Sequence, residues 1–253
     1  MWERFMRLRD KAAIVTGGGS GFGKVIAETF AREGAKVAVL DINTSAAESV
    51  AKRIGPSAIA VAADVAKAAD VEAAIAHTRN AFGRVDIVVN NAGITHHNRP
   101  MLEVGEAEFD RLFAVNVKSI FLFAHAVVPV FQAQGSGMIL NIGSTAAIRP
   151  RPGLTWYNGT KGAVHTLTKS MAIELAPQRI RVCALAPVVG ETPLLASFMG
   201  QDTPETRAKF IASVPLGRLS SPQDIANAAL FLCSDEASFL TGVVLEVDGG
   251  RCI

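Results

Sequence analysis

The chain has little cysteine: Cys183, Cys233 and Cys252 are the only three in 253 residues. They form no CxxC pair and no zinc-ligand spacing, which leaves the reduced thiols of a cytosolic protein as the plain reading. No metal is expected. Neither sign of charge predominates, since 25 Lys and Arg stand against 23 Asp and Glu for a net charge of +2. A chain so balanced lacks the basic patch of a nucleic-acid binder. Long hydrophobic runs are missing too. The longest, Ser119 to Phe131, contains His125 and Pro129 and is well short of the roughly 20 residues that a membrane span needs. It reads as a buried or interface helix, so no membrane partner is expected. Met1 to Lys11 is basic but has no apolar stretch of the secretory kind, and a cytoplasmic location is the expectation. No linker, repeat or low-complexity segment interrupts the sequence, so residues 1–253 are expected to form one domain.

What is present is an alternation. Hydrophobic residues make up 49% of the chain, and many fall in short continuous runs. Ala12 to Thr16, Lys36 to Leu40, Ala58 to Ala62, Ile87 to Val89, Met138 to Ile142, Arg181 to Leu185 and Val243 to Val247 read as strands. Continuous apolar strands are those covered on both faces. Helical patterns fill residues 21–33, 44–54, 67–82, 106–133, 157–177 and 222–233 between and after them. The expected fold is therefore α/β: a Rossmann-type, doubly wound parallel sheet of about seven strands with helices on both faces. The long irregular stretch from Pro187 to Pro222 reads as a lid over a binding site.

The first strand runs into Thr16-Gly17-Gly18-Gly19-Ser20-Gly21-Phe22-Gly23. Gly17, Gly21 and Gly23 give a tight turn and let backbone approach a pyrophosphate, while the following helix offers free N–H groups to phosphate. Ser20 and Phe22 lie in the same turn. A Gly-rich turn without a ligand would look similar, but strand, turn and helix come in the order a dinucleotide site requires. The second strand ends at Asp41. A carboxylate there accepts hydrogen bonds from ribose hydroxyls and repels a 2′-phosphate. Ile42 and Asn43 follow it, with no Arg or Lys. This predicts NAD rather than NADP; a helix cap or turn residue is the alternative for Asp41. Asp64-Val65 closes the third strand and Asn90-Asn91-Ala92-Gly93 the fourth. Asp64 is placed to meet adenine, and Asn91, Ala92 and Gly93 to let the cofactor lie close, although turn chemistry would also explain the latter.

Tyr157 and Lys161 are i and i+4, neighbours on one helix face. A phenol ionises near 10 in water, and an adjacent ammonium can pull that value down toward the working range of an acid–base catalyst. Ser144, upstream, supplies a second hydroxyl for a developing alkoxide.

Together these motifs resemble the short-chain dehydrogenase/reductase family, in its classical subgroup. The resemblance runs along nearly the whole chain: Thr16-Gly17-x-x-x-Gly21-x-Gly23, Asp64, Asn90-Asn91-Ala92-Gly93, Asn116, Ser144, Tyr157-x-x-x-Lys161, Pro187 and Asp248-Gly249-Gly250. It implies an oxidoreductase that transfers a hydride between NAD(H) and a secondary alcohol or ketone. Tyr157 would be the general acid/base and Lys161 would lower its pKa and hold the nicotinamide ribose. Ser144 would orient the substrate oxygen, and Asn116, within a long helix, would hold a water in a proton relay. Pro187, Val189 and Thr192 would run along the nicotinamide, although the Pro-Gly usual there is absent. The family also implies a homotetramer built on the apolar helices 106–133 and 157–177.

The substrate is less legible. Ile94, Thr95, His96 and His97, the segment Thr145 to Pro152, and Leu194, Leu195, Phe198 and Met199 are candidate pocket walls. Arg149 and Arg151 could grip a carboxylate or phosphate or simply be solvated. Trp156 shapes the pocket, an interface or the core. Asp41 argues against a biosynthetic 3-oxoacyl carrier-protein reductase, typically an NADPH enzyme. A sugar, polyol or cyclic alcohol is favoured, with a non-catalytic dinucleotide sensor as the remote alternative.

Overall fold

A computed structural model describes residues 6–201 and 203–253. Met1–Phe5 of the basic N-terminal stretch and Asp202 of the lid lie outside the described residues. Seven strands form one parallel sheet: β1 (Ala12–Thr16), β2 (Lys36–Asp41), β3 (Ala58–Ala62), β4 (Ile87–Asn90), β5 (Gly137–Ile142), β6 (Ile180–Pro187) and β7 (Val244–Val247). Their spatial order is β3-β2-β1-β4-β5-β6-β7. β1 therefore pairs with β2 on one side and β4 on the other. Successive crossovers part at that point, so a crevice opens at the carboxyl ends of β1 and β4.

The strands β1, β2, β4, β5 and β6 bury both faces, the edge strands β3 and β7 only in part, and alternate residues supply two cores. Ala13, Val15, Val37, Val39, Ile87 and Val89 join the core under the helices α1 (Gly21–Arg32) and α9 (Pro222–Cys233). Ile14, Ala38, Leu40, Val88 and Ile139 point the other way. There they meet α3 (Ala68–Phe82) and α5 (Ser119–Gln134). This is why the strands read as unbroken apolar runs. The short helix α2 (Thr44–Ile54) is capped by Asn43, whose side chain accepts the Ala46 N–H at 3.1 Å.

Three features differ from the sequence expectation. Residues 106–133 are not one regular helix. They comprise α4 (Glu106–Phe113), a π-helical turn (Ala114–Lys118) and α5. Taken together, Glu106–Gln134 is long and apolar enough, by length and composition, to cross a membrane. In this fold Leu122, Phe123, Val127, Val130 and Phe131 spend that apolarity on the core beneath the sheet. The stretch from Pro187 to Pro222 is not irregular throughout: it contains α7 (Leu195–Met199) and α8 (Pro204–Ala212). The helix that carries Tyr157, α6, spans Thr155–Leu175 and so begins before the tyrosine.

Candidate active site

The glycine turn is held by backbone conformation and by one hydroxyl. Gly17 and Gly21 adopt φ of +61° and +52°, the left-handed region that L side chains avoid. The Thr16 hydroxyl donates to Val89 O at 3.1 Å and accepts the N–H groups of Asn91 and Ala92, both at 2.9 Å. Asn91 Nδ2 returns a bond to Thr16 O at 2.8 Å. The turn after β1 and the loop after β4 are thus stitched into one unit, with a buried threonine at its centre. Gly23 does not line the cleft. A Cβ there would fall 2.2 Å from Gly17 O, so its part is close packing of α1 on the turn. At the start of α1, Ser20 makes no side-chain cap and no acidic residue follows in the first turn. The helix therefore presents its first N–H groups to the cleft, a setting for phosphate.

Asp41 does not cap α2, since Asn43 does. Its carboxylate accepts Gly19 N–H and Asn43 N–H, both at 2.9 Å, and keeps acceptor capacity toward the cleft it lines. Asp64 accepts Ala66 N–H at 3.0 Å and lines the same cleft with Val65. The cradle of small residues, the open helix end and this carboxylate fit the pyrophosphate and adenosine ribose of a dinucleotide.

At the other end of the cleft, Tyr157, Lys161 and Ser144 converge. Tyr157 is buried and lines the cleft together with Ser144. Lys161 Nζ sits 5.7 Å from the Tyr157 ring centroid and donates to Ile142 O at 2.8 Å. The expected lowering of the phenol pKa is not found in the chain itself. Burial pushes Tyr157 up to about 12, with the Ser144 hydroxyl pulling weakly the other way. Burial also pushes Lys161 down to about 8. Desolvation disfavours both charged forms and is the largest cause of each shift.

Asn116 sits within the long helical stretch, as expected, at the point where α4 passes into α5. It lies in the π-helical turn, is buried, and does not line the cleft. Its Oδ1 accepts Ile94 N–H at 2.9 Å, while Nδ2 donates to Ile94 O at 2.9 Å and to Thr160 Oγ1 at 3.1 Å. Thr160 in turn donates to Tyr157 O at 2.8 Å. The side chain clamps the loop after β4 to the tyrosine's own helix turn.

His165 escaped the sequence reading. It continues the i, i+4 stripe from Tyr157 and Lys161, and its Nε2 accepts the Ser144 N–H at 3.4 Å. Burial, then Lys161 and Lys169, hold it down at about 4, so it is neutral and able to accept. A Cβ at Gly143 would lie 2.4 Å from that nitrogen, so the glycine makes room for the imidazole.

The substrate side is built from loops. Pro187, Val189 and Thr192 line the cleft, as do Leu194 and Phe198. Leu195 and Met199 instead form a small separate core with Leu219. The Phe198 ring meets Tyr157 edge-on with centroids 5.1 Å apart. Of the segment after β4, Ile94 reaches the cleft, whereas Thr95, His96 and His97 do not. His96 is buried with Nδ1 2.9 Å from His97 O, and His97 is exposed. Arg151 lines the cleft; Arg149 is exposed and donates to Arg251 O at 2.8 Å. Trp156 packs edge-on against Phe109 and donates to Met101 O at 3.1 Å. Among the described residues one acidic-thiol group, Glu246, Asp248 and Cys252, has metal-like spacing. Asp248 there is already engaged by the N–H groups of Gly250 and Cys252, both at 2.8 Å.

The family profile described as "Enoyl-(Acyl carrier protein) reductase" matches residues 17–251. The chain is 48% identical to the 4-formylbenzenesulfonate dehydrogenase TsaC1/TsaC2 of Comamonas testosteroni, covering 98% of this chain and all of that one (100%). It is 40% identical to the 2-(R)-hydroxypropyl-CoM dehydrogenase of Xanthobacter autotrophicus, over 95% of this chain and 98% of the relative. A crystal structure of 3-ketoacyl-(acyl-carrier-protein) reductase from Brucella melitensis complexed with NADH superposes with a TM-score of 0.93 and 52% identity, covering 97% of this chain and 100% of the other. The chain belongs to the short-chain dehydrogenase/reductase family, in its classical type, and is an oxidoreductase of the NAD(P)-dependent kind.

Proposed function

We propose that the protein is an NAD-dependent dehydrogenase/ketone reductase that interconverts a secondary alcohol and its ketone. The observation that carries this is the convergence of Tyr157, Ser144 and Lys161 on one cleft continuous with the dinucleotide cradle. The balance is secondary alcohol and NAD+ giving ketone, NADH and a proton. Held by the glycine turn and Asp41, NAD+ would supply the hydride acceptor for the carbinol carbon. Tyr157 takes the hydroxyl proton, and in the reverse direction returns it to the carbonyl oxygen. The Ser144 hydroxyl donates to the same oxygen as charge develops on it. His165 fixes the Ser144 backbone through its neutral Nε2. Lys161, anchored on Ile142 O, supplies donors for the nicotinamide ribose and positive potential beside the phenol. Asn116 acts as a positioning residue through Ile94 and Thr160. Asp41, facing the ribose, supports NAD over NADP. The cleft that Tyr157 and Arg151 line is also walled by Ala146, Leu154, Leu194 and Phe198. Such walls offer a sugar or polyol few partners for its hydroxyls, so an apolar-bodied alcohol replaces the sugar favoured from sequence.

A second reading, reduction of a 3-oxoacyl thioester, draws support from the name of the structural relative. An apolar alcohol panel that includes an acyl thioester separates the two. We also propose a homotetramer, supported by Phe121 and Ile173, which stand 54% and 77% exposed on α5 and α6. Three free cysteines support a cytoplasmic setting. The test of the main reading is Tyr157→Phe. Turnover should fall by at least about 10²-fold, the scale of lost acid–base catalysis, while NADH still binds and binds more tightly than NADPH. Near-normal turnover in that variant refutes the mechanism.

A further inference from the structure

The substrate's chemical class follows from the charges of the cleft, given the oxidoreductase reading above. Five charged residues line it, and they are segregated. Asp41 and Asp64 stand at the ends of β2 and β3, on the adenosine side. Arg111, Arg151 and Lys161 stand on the substrate side. Lys161 spends one donor on Ile142 O at 2.8 Å and its others are assigned to the nicotinamide ribose, and Arg111 is exposed on α4 at the rim.

Arg151 is in a different state. It is half-buried, and its Nη2 is sealed from solvent without a hydrogen-bond partner. The guanidinium lies over the Phe210 ring, 4.3 Å from its centroid. That contact holds the guanidinium in place, and the side chain lines the cleft. Among the described residues no carboxylate acts on it; its titratable neighbours are Arg251, Arg149 and the Cys252 thiol, of which only the thiol favours the charged form. Arg251 is itself buried, with Nε and Nη1 unpartnered, and its carbonyl is held by Arg149 Nη1 at 2.8 Å. Burial first, then these two like charges, hold Arg151 down at about 10. Sealed donors and clustered like charges are both unfavourable. An oxyanion in the cleft relieves both at once, and a guanidinium fork suits a flat or tetrahedral oxyanion.

We propose that Arg151, backed by Arg149 and Arg251, anchors an anionic head group of the substrate. The substrate class is an alcohol or ketone with an apolar body and a terminal sulfonate or carboxylate. The body lies along Leu154 and Phe198, with the carbinol at Tyr157 and the head group at Arg151. A solvated loop arginine would keep its nitrogens in water, and Nη2 of Arg151 is not in water.

The test uses NADH-loaded protein and three probes with one reacting group: 4-acetylbenzenesulfonate, 4-acetylbenzoate and acetophenone. Calorimetry gives affinities, and absorbance gives NADH oxidation in the same mixtures. Wild-type protein should bind at least one anionic probe about tenfold or more tighter than acetophenone, the scale of a charge-assisted hydrogen bond. The tighter of the two anions identifies the head group. In Arg151→Met, which keeps an apolar contact for Phe210, that ratio should collapse toward one. A ratio near one in the wild type, or a ratio retained in the variant, overturns the proposal; the wild-type comparison stands by itself if the variant is unstable. Selective anion binding with no NADH oxidation would refute the dehydrogenase reading and leave the anchor standing. Turnover of acetophenone as efficient as that of both anions would do the reverse.

Discussion

The two ends of the cleft are made of different materials. The dinucleotide end is made of backbone: left-handed glycines, an open helix terminus, and a threonine that ties two loops together. The substrate end is made of side chains on loops and short helices, with Phe198, Phe210 and Arg151 contributed by segments far apart in the chain. Backbone sites tolerate few side chains and serve one ligand. Side-chain sites can be changed residue by residue, so they carry specificity. A substitution at the first end should therefore damage every reaction equally, and one at the second should discriminate among substrates.

The largest effect should come from Gly23→Val, which drives a branched side chain at the Gly17 carbonyl, 2.2 Å from the Cβ position. NADH binding should be lost, with a fall in thermal stability measured by calorimetry; overpacking of this kind commonly costs about 1–3 kcal/mol or more. Retained NADH affinity would break the contrast. Next comes Thr16→Val, nearly isosteric but without the hydroxyl that serves Val89 O, Asn91 N–H and Ala92 N–H. Denaturant titration should show a loss of about 2–3 kcal/mol, since buried donors are left unpaired, with KM for NAD raised for all substrates alike.

The acid–base pair gives a smaller effect, legible in pH. Lys161 titrates near 8 when folded, against its ordinary 10.5. Between those values the unfolded chain binds the extra proton, so stability should rise with pH through that window. Tyr157 titrates near 12 when folded, against its ordinary 10.0. There the folded chain holds the proton longer, so stability should fall above about 10. In Lys161→Met the rise should vanish; its persistence would assign it elsewhere. Because the sequence contains one tyrosine, the phenolate absorbance reports Tyr157 alone and dates its ionisation directly. The smallest effect is expected for Phe198→Ala: a several-fold rise in KM for the alcohol at unchanged NADH affinity, measured by steady-state kinetics. A parallel loss of NADH affinity would show that the ends are not separable.

Much of this was legible in the sequence, and for a physical reason. All seven strands fall where the apolar runs stood, within a few residues, because burial of the five inner strands on both faces, and of the two edge strands in part, imprints itself on composition. The glycine turn, Asp41 and the Tyr157–Lys161 pair were legible because their chemistry depends on local spacing. What escaped was non-local or a matter of hydrogen-bond phase. His165 acts by accepting a backbone N–H from another element, which leaves no motif. Arg251 meets Arg149 across the length of a hundred residues. The helices α7 and α8 are short and of mixed polarity, so periodicity did not reveal them. His96 looked like a wall residue and folds away from the cleft, because its own loop turns back to bond it.

The π-helical turn at Ala114–Lys118 has a consequence for phase. An extra residue in a helix advances every later side chain by about 100° around the axis. The rod built from α4 and α5 therefore has two fronts. Leu112, before the turn, packs with Leu154 and Tyr157, whereas Phe123 and Phe131, after it, pack beneath the sheet. Asn116 sits at the change of front and can clasp Ile94 because the rod has slipped there. Deleting one residue from this turn would leave a straighter, more regular rod whose two fronts can no longer be satisfied together. The irregularity works as a phase shifter between the sheet and the chemistry above it.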